Sequence, residues 1–124
     1  MINLPFKNSI LSTLLKQRIK QINIVNSSPL ITQEKTFKDL IKKALNTKFG
    51  NDHLFSKIKT YDDYKKNVPV RKYEEIFPYI DQMRMGKKNI LWPGKTTFFA
   101  KSSGTTNAKS KYIPLSNDTL HDCH

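Results

Sequence analysis

The amino-acid sequence predicts an α/β arrangement in which several amphipathic helices precede one β-hairpin carrying a phosphate-binding loop. Three observations lead there. Upstream of residue 85, apolar residues recur at three- and four-residue steps with lysines between them, the period of helices that bury one face. Further on, the apolar runs Phe98-Phe99-Ala100 and Tyr112-Ile113-Pro114-Leu115 bracket a stretch of serines, threonines and lysines. Finally, 37% hydrophobic and 26% charged residues in a 124-residue chain suit one small core and argue against wholesale disorder.

The first helix follows from Ile10, Leu11, Leu14, Leu15, Ile19 and Ile22, with Lys16, Gln17, Lys20 and Gln21 between them. Its expected role is packing on the rest of the domain. A basic helix could instead lie on an anionic membrane, but this one lacks Trp and a broad aromatic face. Asn26-Ser27-Ser28-Pro29 marks a break, after which Thr32 offers a hydroxyl N-cap ahead of Glu34. The second helix has the stripe Phe37, Leu40, Ile41, Ala44, Leu45 and Phe49, with Gly50 expected to stop it and Lys38, Lys42, Lys43 and Lys48 on the solvent side.

Residues 51–59 read as a loop or short turn anchored by Phe55 and Ile58, with His53 in a surface or capping role. Thr60 caps the next helix, whose first turn carries Asp62 and Asp63. Val68-Pro69 interrupts it, since proline lacks an N–H and keeps the preceding residue out of helical geometry. Another helix starts near Arg71 with the face Tyr73, Ile76, Phe77, Ile80 and Met83, a possible kink at Pro78 and a stop at Gly86. Pro93-Gly94 turns the chain toward the hairpin, and Trp92 is expected to bury its ring beneath that connection. After the hairpin, Asn117 and Asp118 can cap one more helix, which the chain end at His121-Asp122-Cys123-His124 interrupts. Cys123 next to His124 lacks the spacing of a structural zinc site, so no metal ligands are assigned.

The formal net charge is +12, from 22 basic and 10 acidic residues, which favours anionic partners. Nearly all the basic residues are lysines. Arginines, which suit bidentate recognition of phosphate or guanine, are limited to Arg18, Arg71 and Arg84. A single cysteine excludes an intrachain disulfide, and no apolar run approaches the roughly twenty residues that span a bilayer. A cytoplasmic location is expected.

Concentrated chemistry occurs in one place, Lys101-Ser102-Ser103-Gly104-Thr105-Thr106-Asn107-Ala108-Lys109-Ser110-Lys111. Small residues let successive backbone N–H groups turn toward one point, hydroxyls add donors and lysine adds charge, which together suit a polyphosphate. Lys109 follows Gly104 where a Walker A loop needs its second glycine, so that motif is absent. A dinucleotide fingerprint fails as well, because Gly104 has no glycine neighbours. The same residues could form a polar hairpin loop whose hydroxyls satisfy their own backbone.

This order of strand, loop and strand resembles the signature of adenylate-forming enzymes, and among them the auxin-responsive acyl-acid amido synthetase family, whose loop reads Ser-Ser-Gly-Thr-Ser and, a few residues on, Lys. Ser102, Ser103, Gly104, Thr105 and Lys111 match, with Thr106 in place of the last serine. Leu91-Trp92-Pro93-Gly94-Lys95, Phe98 to Lys101, Ile113-Pro114, Val68-Pro69-Val70-Arg71, Tyr73 and Pro78-Tyr79-Ile80 are also similar to bacterial members, so the resemblance covers Thr36 to Leu115. Ala108 stands where many members carry a second glycine, and members are several times longer than this chain.

The resemblance implies that the chain is the truncated N-terminal part of one adenylation domain, in an enzyme that activates a carboxylic acid with ATP and passes the acyl group to an amine or amino acid. ATP and Mg²⁺ are the implied cofactors of the parent enzyme. Ser102, Ser103, Gly104, Thr105, Thr106 and Lys111 are the implied binding residues, while the adenine, acyl and amine pockets would be supplied by the missing C-terminal remainder. By itself the chain is expected not to turn over. The alternative from composition is a small Lys-rich nucleic-acid or anionic-surface binding module, which would bind DNA or RNA with a steep salt dependence.

Overall fold

The computed structural model describes residues 7–103 and 110–122. Most of them are helical. The order is α1 Lys7–Ser27, α2 Pro29–Ala44, α3 Lys48–Asp52, a 3₁₀ turn Phe55–Lys57, α4 Tyr61–Asn67, α5 Tyr73–Arg84, β1 Phe98–Lys101, β2 Tyr112–Leu115 and α6 Asn117–Asp122. Chain contacts divide the protein into two units, residues 1–37 and 38–124, with the boundary inside the sequence of α2.

In the first unit, α1 forms where the apolar stripe predicts a helix. Leu15, Ile19, Ile22, Ile24 and Val25 are between 46% and 55% exposed. The helix continues to Ser27, which brings Ile24 about half a turn round from Leu15 at 100° per residue, so the apolar residues are not confined to one face. The break before Pro29 is where the sequence places it. Pro29 opens α2, a position where its missing N–H costs nothing. Thr32 is therefore inside the helix rather than at its cap, and its hydroxyl donates to Ser28 O at 2.9 Å.

The second unit builds its core from Ile41, Ala44, Phe55, Ile58, Ile80, Met83 and Ile90. The second helix ends at Ala44, ahead of Gly50, which does not stop it but sits buried within α3. A Cβ there would collide with the Ala44 carbonyl oxygen and lie 2.9 Å from that of Leu45, so glycine serves close backbone approach. Thr47, 1% exposed, caps α3. Its hydroxyl donates to Ala44 O at 2.7 Å and accepts from Gly50 N at 3.0 Å. The remaining early N–H groups of α3 donate outward, Lys48 N to Asn89 O at 2.7 Å and Phe49 N to Ile90 O at 3.0 Å. That satisfies donors which helix geometry leaves orphaned and stitches α3 to the segment leading toward the hairpin.

Phe55 and Ile58 are buried anchors, as expected, and α4 has the expected cap. Thr60 Oγ1 accepts from Asp63 N at 3.1 Å while Asp63 Oδ2 accepts from Thr60 N at 3.0 Å, a reciprocal capping box. α5 runs past Pro78 and buries Ile80 and Met83. It ends at Gly86, φ +83°, whose N–H reaches Met83 O while Lys87 N reaches Gln82 O. The following turn is held by Asn89, itself at φ +56°. Its N–H donates to Gly94 O at 2.9 Å and its side-chain oxygen accepts from Gly94 N at 2.7 Å.

β1 and β2 pair antiparallel with Phe98 opposite Leu115, Phe99 opposite Pro114, Ala100 opposite Ile113 and Lys101 opposite Tyr112. The cap of α6 lies one residue before the expected pair Asn117 and Asp118. Ser116 is the capping residue, accepting from Thr119 N at 3.1 Å, so Asn117 and Asp118 lie inside the first turn. No helix among the described residues is long and apolar enough to cross a membrane.

Candidate functional site

The serine- and threonine-rich stretch leaves β1 and returns at β2, so the hairpin sets the separation of its ends. Beyond the last strand pair, Ser102 N donates to Lys111 O at 2.9 Å and Lys111 N donates to Ser102 Oγ at 3.0 Å. These two bonds close the neck of the loop. Ser102 thus spends acceptor capacity on the chain, yet a hydroxyl that accepts still carries a hydrogen to donate. Ser103 is exposed, and Lys111 extends its ammonium over the Tyr73 ring, 5.1 Å from the centroid. Gly104, Thr105 and Thr106 lie outside the described residues, as do Ala108 and Cys123-His124.

What positions the neck is α5. The Tyr73 hydroxyl accepts from Tyr112 N at 2.8 Å and donates to Tyr112 O at 3.3 Å, so one phenol satisfies both backbone groups on the outer edge of β2. At the other end of the helix, eleven residues on and close to three full turns away, the Arg84 guanidinium stacks on the Tyr112 ring at 4.1 Å and pairs with Asp81 at 3.2 Å. Sequence reading places Tyr73 on an apolar face and assigns Arg84 no role. The signal available was polar tips on an otherwise apolar stripe, which ask for buried partners.

Between the C-terminal end of α5 and the inner face of the hairpin lies an open cleft of about 520 Å³. Met83, Phe99 and Tyr112 give it apolar walls, Arg84 and Lys95 give positive charge, and Thr96 gives a hydroxyl. A smaller cavity of about 180 Å³ is lined by Trp92, Leu91, Pro114 and Thr119, among others. Trp92 is half-buried there with the Lys43 ammonium 5.8 Å from its ring, which partly meets the expectation of burial.

His53 is not on the surface; it is 4% exposed and closes the end of α3. Its Nδ1 faces Phe49 O at 2.8 Å, so Nδ1 carries the hydrogen, and Nε2 accepts from an Arg71 nitrogen at 2.8 Å. The ring also stacks on Phe49 at 4.0 Å. With both nitrogens engaged, His53 is structural, in keeping with the capping role. Nearby, hydrogen bonds from the Lys48 ammonium and the Tyr79 hydroxyl hold the Asp52 carboxyl below its usual range, while burial, and then the bond to Asp52, raise the Tyr79 phenol. Among the described residues, no three His, Cys, Asp or Glu side chains are grouped to hold a metal.

A loop-bearing hairpin docked on a helix is shared by proteins of many activities, and comparison with known proteins narrows the class. Over 102 residues the chain is 29% identical to the 4-substituted benzoates-glutamate ligase GH3.12 of Arabidopsis thaliana, covering 82% of this chain and 18% of that protein. Over 103 residues it is 27% identical to the jasmonoyl–L-amino acid synthetase GH3.5 of Oryza sativa subsp. japonica, covering 77% and 18%. A shorter match, 37% identical over 59 residues, is to the indole-3-acetic acid-amido synthetase GH3.15 of Arabidopsis thaliana, covering 47% and 10%. Each of these three relatives is by its name a ligase or synthetase that joins an acid to an amino acid or forms an amide. The family model described as the GH3 family N-terminal domain matches residues 18–124, and the chain belongs to this family. That is the family resembled by residues 36–115, and the match extends beyond them at both ends. The chain spans under one fifth of the length of these relatives.

Proposed function

We propose that residues 102–111 form the phosphate-binding loop of an ATP-dependent acid-amido ligase, and that the chain serves as the N-terminal part of its adenylation domain. The observation that supports this reading is the closed neck at Ser102 and Lys111, which presents a serine- and threonine-rich loop of a GH3-family chain at the end of a hairpin held by Tyr73. In the reaction, a carboxylate oxygen of the acid attacks the α-phosphorus of ATP. The bond from that phosphorus to the α,β-bridging oxygen breaks, and pyrophosphate leaves with the bond's electrons. The amine nitrogen of the second substrate then attacks the acyl carbon, AMP departs, and the nitrogen loses a proton to give the amide.

The loop's part is to bind and orient. Hydroxyls of Ser102, Ser103, Thr105 and Thr106 and backbone N–H groups around Gly104 hold the β and γ phosphates, and Lys111 balances charge on the departing pyrophosphate. Magnesium prefers oxygen ligands and keeps much of its coordination on phosphate and water, which fits a loop of neutral hydroxyls without a carboxylate cage. It would neutralise phosphate charge. The acid, adenine and amine sites belong to the remainder of a GH3 ligase, so the 124-residue chain alone gives no exchange above background.

Grafting residues 98–115 in place of the matching hairpin of the Arabidopsis benzoates-glutamate ligase tests this reading. Acid-dependent ATP–pyrophosphate exchange should persist within about tenfold of the parent, and Lys111→Met in the graft should lower it about a hundredfold, the scale on which a transition-state donor acts. A folded graft whose exchange ignores Lys111→Met and Ser103→Ala would overturn it.

A further inference from the structure

Lys48, Lys65 and Arg84 each lie over an aromatic ring and also bond a carboxylate, that of Asp52, Asp62 and Asp81 respectively. Lys111 differs. Its ammonium has the Tyr73 ring, 5.1 Å to the centroid, and no carboxylate partner among the described residues. A carboxylate would cancel the charge it holds, whereas a ring attracts through its quadrupole and leaves the full positive charge in place. The ammonium is thus held without being neutralised.

The backbone of Lys111 is fixed by other means. Its N–H and its carbonyl oxygen both bond Ser102, and the Tyr73 hydroxyl grips the next residue, Tyr112. A long, flexible side chain is therefore anchored twice, at its near end by the neck and at its far end by a ring on α5. We infer that Tyr73 is a positioning residue, whose ring holds the uncompensated Lys111 ammonium beside the loop so that it meets the phosphates of ATP with little rotamer freedom left to lose. This rests on the phosphate-binding reading of residues 102–111. It does not rest on the hydroxyl clamp, because the two neck bonds keep the Lys111 backbone in place when that hydroxyl is absent.

The test is titration of ATP with Mg²⁺ onto the 124-residue chain, comparing two substitutions that separate ring from hydroxyl. Tyr73→Phe keeps the ring and should bind like wild type. Tyr73→Leu loses the ring and should bind about fivefold more weakly, the scale of a cation–ring attraction at an exposed site. In a Lys111→Met background the two should bind alike, since the ring then has no ammonium to hold. A second measurement needs no variant: in nuclear Overhauser spectra of the wild-type chain, the Lys111 ε-methylene should show cross-peaks to the Tyr73 ring protons, with and without ATP. Where Ser103→Ala still weakens binding, three results would each overturn the inference and leave the loop reading standing. They are Tyr73→Phe binding as weakly as Tyr73→Leu, Tyr73→Leu binding as tightly as wild type or more so, and missing cross-peaks. Binding that ignores both Ser103→Ala and Lys111→Met would overturn the loop reading, and this inference with it.

Discussion

Three residues hold more of the second unit than their sequence neighbourhoods suggest. Tyr73 satisfies both backbone groups of Tyr112, so Tyr73→Phe strips a donor and an acceptor at once. Leaving such groups unpaired costs about 1–3 kcal/mol. Hydrogen exchange at the Tyr112 amide should accelerate by ten- to a hundredfold in that variant, and an unchanged rate would contradict the clamp. Asn89 combines a positive φ with bonds to Gly94 and to Lys48 N. Asn89→Gly keeps the backbone conformation and loses only the side-chain bond, whereas Asn89→Ala adds strain of about 1 kcal/mol. Urea unfolding should therefore rank wild type above Asn89→Gly and Asn89→Gly above Asn89→Ala. At Gly50 the obstacle is backbone oxygen, which cannot swing aside, so Gly50→Ala should cost about 1–3 kcal/mol on the same measurement.

At the level of elements, capping and acid chemistry meet in α3 and α4. Replacing Thr60 by alanine removes half of the capping box and should cost about 1 kcal/mol. The Asp63 carboxyl is held below its usual value of 3.8, first by the Lys59 N–H and then by Thr60. Asp52 is lowered by Lys48 and Tyr79, and Asp62 by Lys65. A lowered carboxylate stabilises the fold above its unfolded value and loses that contribution as pH falls through its folded value. Acid titration of stability should therefore show a decline beginning near pH 4 and continuing below it, and Asp63→Asn should flatten the decline. Elements with a local signature were legible in the sequence: Thr60 ahead of two aspartates, Pro69 as a break, Gly86 as a stop, and two apolar runs around a loop. What escaped was set by distant chain. Gly50 reads as a terminator until Ala44 is seen folded against it, and the Ser116 cap competed with two equally good capping residues directly behind it.

Over the whole molecule, the sequence carried the family and the hairpin, because both depend on short motifs with fixed spacing. The candidate site was legible as residue types at the neck, Ser102 and Lys111, but its supports were not, since Tyr73 and Arg84 reach it from a helix some forty and thirty residues upstream. The formal charge of +12 attracts polyanions in general, so a test of the loop must separate a specific cradle from diffuse attraction. The most direct measurement is ³¹P NMR of ATP with Mg²⁺ titrated onto the 124-residue chain at 0.15 M salt, roughly where surface attraction is screened within about 8 Å. The β and γ resonances should shift and broaden more than the α resonance, and Ser103→Ala with Lys111→Met should weaken the effect about tenfold or more. Equal perturbation of all three phosphates, unchanged by those substitutions, would contradict the account.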